Sequence, residues 1–475
     1  MSEIKKETSL AIVGAGPGGY AAAFLAADLG MKVTLIDPRE NPGGVCLHVG
    51  CIPSKALLHV ANVLNEAKDA KNFGVSFNKP KINRLRIAEW KTDVVKKLTA
   101  GLGDLSQKRK IEYIRGTATF ADRKTLDVEE TAGDQYRLRF ENAIVATGSK
   151  ATEMGGMEFD GKRILSSTDA LELNDIPRSM LIVGGGYIGL EMGTVYSALG
   201  TKVTVAEMTS GLLPGVDRDL VAVLKKQIQE RFDEVLLNTK VSDMRVQKNG
   251  VMVTFEGEEV KKNKRLFNKV LVAVGRKPVS SGLGLENTKI KVDDKGFIEV
   301  DLQRRTTEKN IYAIGDVAGE PMLAHKASHE GRVAVEAIAG RATAFEPRAI
   351  PAVVFTDPEI AWCGLTATEA KQNKQKVEIV KFPWAASGRL ATLDRESGLT
   401  KFVIDPETEQ ILGVGIVGPG AGELISEGAL AIEMAAVVSD VRLTIHPHPT
   451  LSETVMETAD LFFGESTHYY RPKRK

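Results

Sequence analysis

Residues 9–19 read Ser-Leu-Ala-Ile-Val-Gly-Ala-Gly-Pro-Gly-Gly. The apolar run at the start of this stretch is typical of a short, buried parallel strand. Three glycines follow with the spacing G-x-G-x-x-G: Gly14, Gly16 and Gly19. They permit a tight turn, close approach of the backbone to a pyrophosphate and close packing of the helix that follows. An alanine-rich segment and a second apolar run ending in Asp37 complete a strand–turn–helix–strand unit. An acid about 20 residues beyond the glycines binds the ribose of a dinucleotide.

The same unit recurs in residues 180–189, Met-Leu-Ile-Val-Gly-Gly-Gly-Tyr-Ile-Gly. Its glycines are Gly184, Gly186 and Gly189. A helical segment and the run 202–207 follow, and Glu207 stands where Asp37 stands in the first unit. The chain therefore predicts two dinucleotide sites, and the natural pair of ligands is FAD and a nicotinamide dinucleotide. Glu207 favours NAD⁺ over NADP⁺, because an acid repels a 2′-phosphate.

Three further segments indicate how the two units connect. Residues 140–148 and 271–275 each have the pattern of a strand that closes a βαβ unit and brings the chain back past a bound dinucleotide. The second of these strands ends in Gly275. Residues 307–316 form a strand ending in Gly-Asp, which places Asp316 to accept hydrogen bonds from a ribityl chain. This strand follows the second unit and is expected to rejoin the first one. The FAD domain is therefore predicted to be interrupted by the NAD domain.

From about residue 348 the pattern changes to short strands with turns, followed by two helical stretches, 421–438 and 451–463, and this part has no phosphate-binding loop. The predicted fold is α/β, with two Rossmann-like domains and a C-terminal α+β domain that makes a subunit interface. The predicted divisions are these: FAD-binding domain 1–150, NAD-binding domain 151–276, a central segment 277–347 that returns to the FAD domain, and the interface domain 348–475.

Composition excludes several classes of protein. The chain has 475 residues, with 63 Lys and Arg against 62 Asp and Glu. This near-zero net charge lacks the excess of basic residues that is typical of proteins that bind nucleic acid or an anionic membrane. Three cysteines in a chain of this length are not a secreted disulfide framework. No secretory signal and no run of about 20 apolar residues is evident, so we expect no membrane span and a cytoplasmic location.

Two of the three cysteines, Cys46 and Cys51, lie in the segment Gly43–Lys55. In a regular helix their Cα atoms would be roughly 8–9 Å apart, whereas a disulfide needs less than about 7 Å. A Cys46–Cys51 bond therefore requires an interrupted helical turn, which Gly50 and Pro53 are suited to supply. A strained and accessible disulfide is easily reduced, so we predict a redox-active pair.

A second segment, residues 444–453, holds two histidines between prolines and ends in Glu453. Thiol–disulfide exchange needs a base near neutral pH, and a carboxylate can orient a histidine for that role. Spacing alone does not choose between His446 and His448. The remaining cysteine, Cys363, stands among apolar residues and is predicted to be core. Metal binding is not predicted, because Cys-x4-Cys lacks the usual set of zinc ligands.

These motifs resemble the flavin-dependent pyridine nucleotide–disulfide oxidoreductases along the whole chain. Two segments are most similar to the branch that reoxidises protein-bound dihydrolipoamide, the E3 components of 2-oxo acid dehydrogenase complexes: 43–55 and 446–453. Residues 382–389 and 322–326 also resemble the bacterial form of that branch. The resemblance implies tightly bound FAD, NAD⁺/NADH, a homodimer with shared active sites, and lipoyl domains and an E2 core as partners.

The resemblance also implies individual roles. Cys46 exchanges with dihydrolipoamide, Cys51 lies against the flavin, and His448 with Glu453 is the base that serves the partner subunit's cysteines. The implied FAD-binding residues are Gly14, Gly16, Gly19, Asp37, Lys55, Ala118, Asp316 and Ala324. The implied NAD-binding residues are Gly184, Gly186, Gly189, Glu191, Glu207 and Gly275.

Two positions depart from the pattern of this branch. Asp37 stands where Glu is more frequent, and Tyr187 stands where Ile or Val is frequent. Glutathione reductases carry Tyr at that position, so Tyr187 is a candidate gate of the nicotinamide site. A glutathione-reductase-like enzyme is the alternative reading, and Glu207 together with Pro53-Ser-Lys55 disfavours it. A scaffold protein that keeps FAD only for structure is disfavoured by the intact cysteine pair, His448 and Glu453.

Overall fold

The computed structural model describes residues 4–470, except residues 156, 258, 259 and 261. The charge of two basic stretches, the turn 261–265 and the tail 471–475, predicts that both are solvated. The tail Arg471–Lys475 lies outside the described residues, as does Lys261 of the turn 261–265. The remaining residues of that turn run into a strand that begins at Lys264.

The N-terminal part is a parallel sheet with helices packed on it. Its elements are β1 (Ile4–Val13), α1 (Pro17–Asp28), β2 (Val33–Asp37), α2 (Gly44–Val49), α3 (Cys51–Asp69), α4 (Arg84–Lys108), β3 (Glu112–Asp122), β4 (Thr125–Glu130) and β5 (Gln135–Val145). Strands β3, β2, β1 and β5 pair in parallel in that order, and β4 pairs antiparallel with β3 and β5. The small side chains of α1 are buried, which lets the helix approach the sheet closely.

The second part repeats this plan. Its elements are β6 (Ser149–Ala151), β7 (Ile164–Leu165), α5 (Ser167–Leu171), β8 (Ser179–Val183), α6 (Tyr187–Ala198), β9 (Lys202–Ala206), α7 (Arg218–Arg231), β10 (Glu234–Leu236), β11 (Lys240–Gln247), β12 (Gly250–Glu256), β13 (Lys264–Phe267) and β14 (Lys269–Val272). Strands β10, β9, β8, β14 and β7 form a parallel sheet in that order. An antiparallel meander, β11–β12–β13, covers one side of it, a feature that the sequence did not predict.

The chain then returns to the first sheet. The elements are β15 (Arg276–Pro278), β16 (Ile311–Ala313) and α8 (Ala324–Ile338). Strand β15 pairs with β6, and β16 pairs in parallel with β5. Helix α8 packs on α1. The prediction that the first Rossmann-like unit is interrupted by the second is therefore confirmed.

The C-terminal part is a five-stranded antiparallel sheet with helices on it. Its elements are β17 (Ala352–Val354), β18 (Glu359–Gly364), α9 (Ala367–Gln372), β19 (Glu378–Pro383), α10 (Gly388–Ala391), β20 (Leu399–Ile404), β21 (Ile411–Gly418), α11 (Ala421–Glu433), α12 (Val438–Leu443) and α13 (Glu453–Phe463). The strand order is β17–β18–β21–β20–β19. Cys363 lies buried in this core, as predicted. The predicted helix 421–438 ends earlier, at Glu433.

One helical stretch, residues 44–73, is long and apolar enough to be a candidate membrane span by length and composition. The core helix of a globular domain can meet the same criterion. Here α3 packs against α4 and α6, and its residues Leu57, Leu58 and Ala61 are buried in the protein.

Candidate functional site

The first glycine turn fits only glycine at its key positions. Gly14 has φ +100°, and a Cβ there would lie 2.4 Å from the carbonyl oxygen of Ala146. A Cβ on Gly19 would lie 1.9 Å from the Gly14 oxygen. Asp37 braces the turn, because its Oδ2 accepts a hydrogen bond of 2.9 Å from the Ala15 amide. The N-terminus of α1 therefore faces a cleft with its backbone amides free to bind phosphate.

The second turn has the same construction. Gly184 has φ +106°, and a Cβ there would lie 2.5 Å from the Ala273 oxygen at the end of β14. Glu207 is buried, and its Oε2 accepts from the Gly185 amide at 2.7 Å. Its Oε1 accepts from the Thr209 amide and hydroxyl, both at 2.7 Å. The two acids identified from sequence thus occupy equivalent places in the two units.

A cleft opens between the first turn and the second unit. Most of the residues predicted for FAD and the thiol chemistry line it: Gly14, Gly16, Asp37, Cys46, Cys51, Lys55, Asp316 and Ala324. Gly19 is not among the lining residues, whereas Tyr187 and Glu191, which were predicted for the nicotinamide site, are. Residues that sequence reasoning did not single out line it too: Arg39, Ser54, Thr147, Ser149, Arg276 and Met322. The structure thus gathers groups from both Rossmann-like units around one cleft.

Other predicted residues lie elsewhere. The second glycine turn, Glu207 and Gly275 are not among the residues lining this cleft. Ala118 is buried in β3, opposite Val128, and does not line it either. Its predicted contact with FAD stays a prediction.

The cysteine pair sits at an interruption in the helix, as expected. Helix α2 ends at Val49 and α3 begins at Cys51, and Gly50 separates them with φ −140° and ψ −113°. A Cβ on Gly50 would lie 2.8 Å from the Val45 oxygen and 3.2 Å from the Cys46 Cα, so a larger residue would push the two turns apart. Both cysteines are free thiols here.

The two sulfurs are chemically unequal. The hydrogen bond with Cys46 lowers the pKa of Cys51 to about 7; burial opposes this shift, and the charge of Lys55 adds to it. The same hydrogen bond, together with burial, raises the pKa of Cys46. Cys51 is therefore the sulfur that carries the thiolate.

Lys55 and Glu191 form a charged pair beside the thiols. Lys55 Nζ lies 2.9 Å from Glu191 Oε2 and 3.0 Å from Oε1. Glu191 is buried in α6, and Ser54 Oγ also donates to its Oε2 at 2.8 Å. The pair joins the thiol-bearing helix α3 to helix α6 of the second unit.

A second polar chain crosses the cleft near Asp316. Ser149 Oγ donates to Asp316 Oδ2 at 2.5 Å, and Arg276 Nε donates to Ser149 Oγ at 2.8 Å. Tyr187 begins α6 in the same cleft, with 42% of its surface exposed. Burial of its hydroxyl raises the pKa of Tyr187 to about 12. Tyr187 thus stays neutral and is partly open to solvent at the cleft; its role as a gate stays a prediction.

The two histidines differ in their surroundings. His448 is exposed over 70% of its side chain, and its Nδ1 lies 2.8 Å from Glu453 Oε1. Partial burial by itself raises the pKa of Glu453. Hydrogen bonds from the Thr450 amide and, to a smaller extent, from His448 outweigh the burial, so the pKa of Glu453 lies below its ordinary value. The side chain of His446 is only 5% exposed and contacts Glu427 Oε1 at 2.7 Å. His448 does not line the cleft of the same chain that holds Cys46 and Cys51.

Behind the Asp316 turn lies a buried cluster of charges. Glu330 is fully buried in α8 and accepts from the Gly315 amide at 2.6 Å. Its carboxylate also pairs with Arg304 at 2.9 Å and Lys326 at 3.0 Å. No sequence spacing pointed to this carboxylate, which fixes the backbone that presents Asp316.

Replacing Glu330 by leucine is expected to destabilise the fold by about 3–5 kcal/mol, because two cations lose their buried counter-charge. The variant should also release flavin, since the turn bearing Asp316 is no longer held. Thermal unfolding with and without added FAD, and flavin content after gel filtration, measure both effects. Glu336→Gln, on the same helix but more exposed, is the matched control. Equal stability and flavin content in the two variants would show that the cluster is dispensable.

The chain's own residues fit FAD in this cleft. Gly16 lines the cleft, and a Cβ there would meet only Gly44 Cα, at 3.9 Å, so the space beside it stays open for a pyrophosphate. Asp37 and Asp316 line the same cleft as the two thiols. The second glycine turn and Glu207 provide the equivalent donor set for a nicotinamide dinucleotide.

Comparison with known proteins identifies the class. Residues 8–331 match the pyridine nucleotide-disulphide oxidoreductase family, and residues 350–459 match its dimerisation domain. The chain belongs to this family, whose cofactors are FAD and NAD(H).

Within that family, the chain is similar to proteins named dihydrolipoyl dehydrogenase. The protein of that name from Haemophilus influenzae is 46% identical, over 100% of this chain and 98% of its own length. The one from Geobacillus stearothermophilus is 45% identical, over 97% of each chain. Among solved structures, LpdA from Mycobacterium tuberculosis matches with a TM-score of 0.89 at 27% identity, over 96% of this chain and 99% of that one. The HOCl-induced flavoprotein disulfide reductase RclA from Escherichia coli matches with a TM-score of 0.84 at 26% identity, over 95% and 99%.

Proposed function

We propose that the chain is an NAD⁺-dependent dihydrolipoyl dehydrogenase that oxidises protein-bound dihydrolipoamide to lipoamide. The observation that carries this proposal is the unequal pair of sulfurs, Cys46 and Cys51, set beside Lys55 in the cleft that the first glycine turn lines. The relatives named dihydrolipoyl dehydrogenase over the whole chain support the choice of substrate.

Cys46 and Cys51 begin the reaction as a disulfide. His448 takes the proton of one thiol of dihydrolipoamide. The resulting thiolate attacks the sulfur of Cys46, a mixed disulfide forms, and Cys51 leaves as a thiolate. The second thiol of the substrate then displaces Cys46, which leaves as a thiol with the second proton, and the cyclic disulfide of lipoamide closes. FAD, held by the first glycine turn, Asp37 and Asp316, would supply the two-electron acceptor for the reduced cysteine pair, and the electrons would pass on to NAD⁺. Lys55 stabilises the Cys51 thiolate through its positive charge.

His448, oriented by Glu453, is assigned as the base of the partner subunit's site. Its side chain is exposed, and it lies outside the thiol cleft of its own chain. Two large apolar side chains that lie shortly before it in the chain are also exposed: Leu443 79% and Ile445 94%. An apolar surface of this kind is typical of an interface, and a second copy of the chain is the partner that would complete each site. His446, buried against Glu427, is assigned a structural role.

The remaining assignments follow from this reading. FAD binds residues 1–150 and 277–347 on their side of the cleft, NAD⁺ binds residues 151–276, and residues 348–475 form the dimer interface. The NAD-binding residues are Gly184, Gly186, Gly189, Glu191, Glu207 and Gly275, with Tyr187 as a gate. Lipoyl domains and the E2 core of a 2-oxo acid dehydrogenase complex are the proposed partners, in the cytoplasm.

An anaerobic titration tests the substrate. Dihydrolipoamide should reduce the enzyme and generate a long-wavelength absorbance band, which arises from charge transfer between the Cys51 thiolate and the flavin. Glutathione at the same thiol concentration should leave the spectrum of the oxidised enzyme unchanged. Reduction by glutathione but not by dihydrolipoamide would contradict the proposed substrate and support the glutathione-reductase-like alternative. NADH serves as the positive control for a competent flavin.

A further inference from the structure

Phe355 brings the C-terminal domain into the redox centre. It follows β17, and its backbone amide donates to Glu191 Oε1 at 3.1 Å. Its ring lies under the ammonium of Lys55, with Nζ 4.3 Å from the ring centroid. Phe355 thus contacts both members of the charged pair beside the thiols. Neither the glycine motifs nor the cysteine and histidine segments pointed to it.

The contacts leave the pair little freedom. The Glu191 carboxylate receives hydrogen bonds from Ser54 and Lys55 of α3 and from the Phe355 amide. Lys55 is only about one-third exposed, and the ring face covers part of the ammonium that Glu191 does not reach. The ring is itself held, because Phe355 is partly buried and packs against a hydrophobic core cluster. The ammonium is therefore clamped between a carboxylate and an aromatic face.

We propose that Phe355 is a positioning residue: its ring and backbone amide hold the Lys55–Glu191 pair in the place where the Lys55 charge stabilises the Cys51 thiolate. The dimerisation domain of a chain would then tune the redox pair of that same chain, separately from the histidine it lends to the partner. The proposal rests on the roles proposed above for Lys55 and Cys51, but not on the identity of the substrate.

Several charged groups face this thiolate, and all of them enter its titration. Cys46 and Lys55 favour ionisation of Cys51, whereas Glu191 disfavours it. Tyr20 and Tyr187 also lie near it, and Glu359 from β18 lies near Lys55. The pKa of Cys51 is lowered, so the thiolate is present above about pH 7 and is lost as the pH falls below that value. Weakening the hold on Lys55 moves this loss to higher pH.

Replacing Phe355 by leucine tests the ring alone, because leucine keeps an apolar side chain and the backbone amide. The enzyme is reduced anaerobically with dithiothreitol, and the long-wavelength thiolate–flavin band is titrated with pH. The midpoint should rise by roughly 0.5–1 pH unit, the size expected from loss of a cation–π contact. Phe355→Tyr keeps the aromatic face and should retain the wild-type midpoint. Because dithiothreitol replaces dihydrolipoamide, this result does not depend on the proposed substrate.

Two further variants make the test decisive. Lys55→Met should raise the midpoint at least as far as Phe355→Leu, and Phe462→Leu, an aromatic substitution elsewhere in the same domain, should leave it unchanged. An unshifted midpoint in Phe355→Leu would overturn the proposal, as would an equal shift in Phe462→Leu. If Phe355→Leu loses flavin, the same titration is followed by the ultraviolet absorbance of the thiolate in flavin-free protein, with wild type treated alike.

Discussion

Replacing Cys46 by serine is expected to abolish oxidation of dihydrolipoamide, because no disulfide remains to accept the substrate's electrons. The loss should reach the background of the assay. FAD should stay bound, since the glycine turn, Asp37 and Asp316 are untouched. Oxidation of NADH by an artificial acceptor should persist, since that reaction bypasses the thiols. Turnover of dihydrolipoamide and of the artificial acceptor, measured on the same preparation, separates the two reactions.

The third cysteine provides the control for this experiment. Cys363 is buried in the C-terminal core, and burial raises the pKa of its thiol to about 12, so it stays protonated. Cys363→Ala should keep full dihydrolipoamide turnover, with at most a modest loss of stability from the small cavity. Substantial dihydrolipoamide activity in Cys46→Ser would remove Cys46 from its assigned role.

Local patterns were sufficient to predict most of the Rossmann-like architecture. Each glycine turn carries its constraint in a few consecutive residues, and Asp37 and Glu207 lie at a fixed distance beyond it. The structure places both acids on the amides of their own turns. The interrupted helix was also predictable, because Gly50 between the two cysteines is a local signal. Strand β16 could be assigned to the first sheet because the sequence before Asp316 has a strand pattern.

The contacts that complete the site were not predictable in the same way. Glu191 meets Lys55 and Phe355 across separations of 136 and 164 residues. Glu330 accepts a hydrogen bond from the Gly315 amide. It lies in α8, whose charged, amphipathic sequence resembles that of an ordinary surface helix. Such contacts depend on how the domains pack, and no spacing within one segment encodes them. The distinction between His446 and His448 likewise required burial: one side chain is enclosed and the other is exposed.

Replacing His448 by glutamine is expected to slow dihydrolipoamide turnover by about 10²–10⁴-fold, the usual contribution of a general base. Glutamine retains a polar side chain of similar size, so folding and FAD content should be unchanged. The rate should become more dependent on pH, because the substrate thiol must then ionise without help. His446→Gln is the matched control. Because His446 is buried against Glu427, this variant should lower the thermal stability and leave the pH dependence of turnover largely unchanged. Turnover as a function of pH and thermal unfolding distinguish the two variants.

Mixed dimers test whether His448 serves the partner's cysteines. Unfolding and refolding an equal mixture of Cys46→Ser and His448→Gln chains should make about half of the dimers hybrids, if the chains pair at random. If each site takes its thiols from one chain and its base from the other, one site of every hybrid receives both wild-type residues. The mixture should then recover about one quarter of wild-type activity, although each variant alone is inactive or nearly so. If His448 acted on the cysteines of its own chain, every site would lack one of the two residues, and refolding the mixture would restore nothing. Wild-type enzyme carried through the same refolding provides the reference for the recovered fraction.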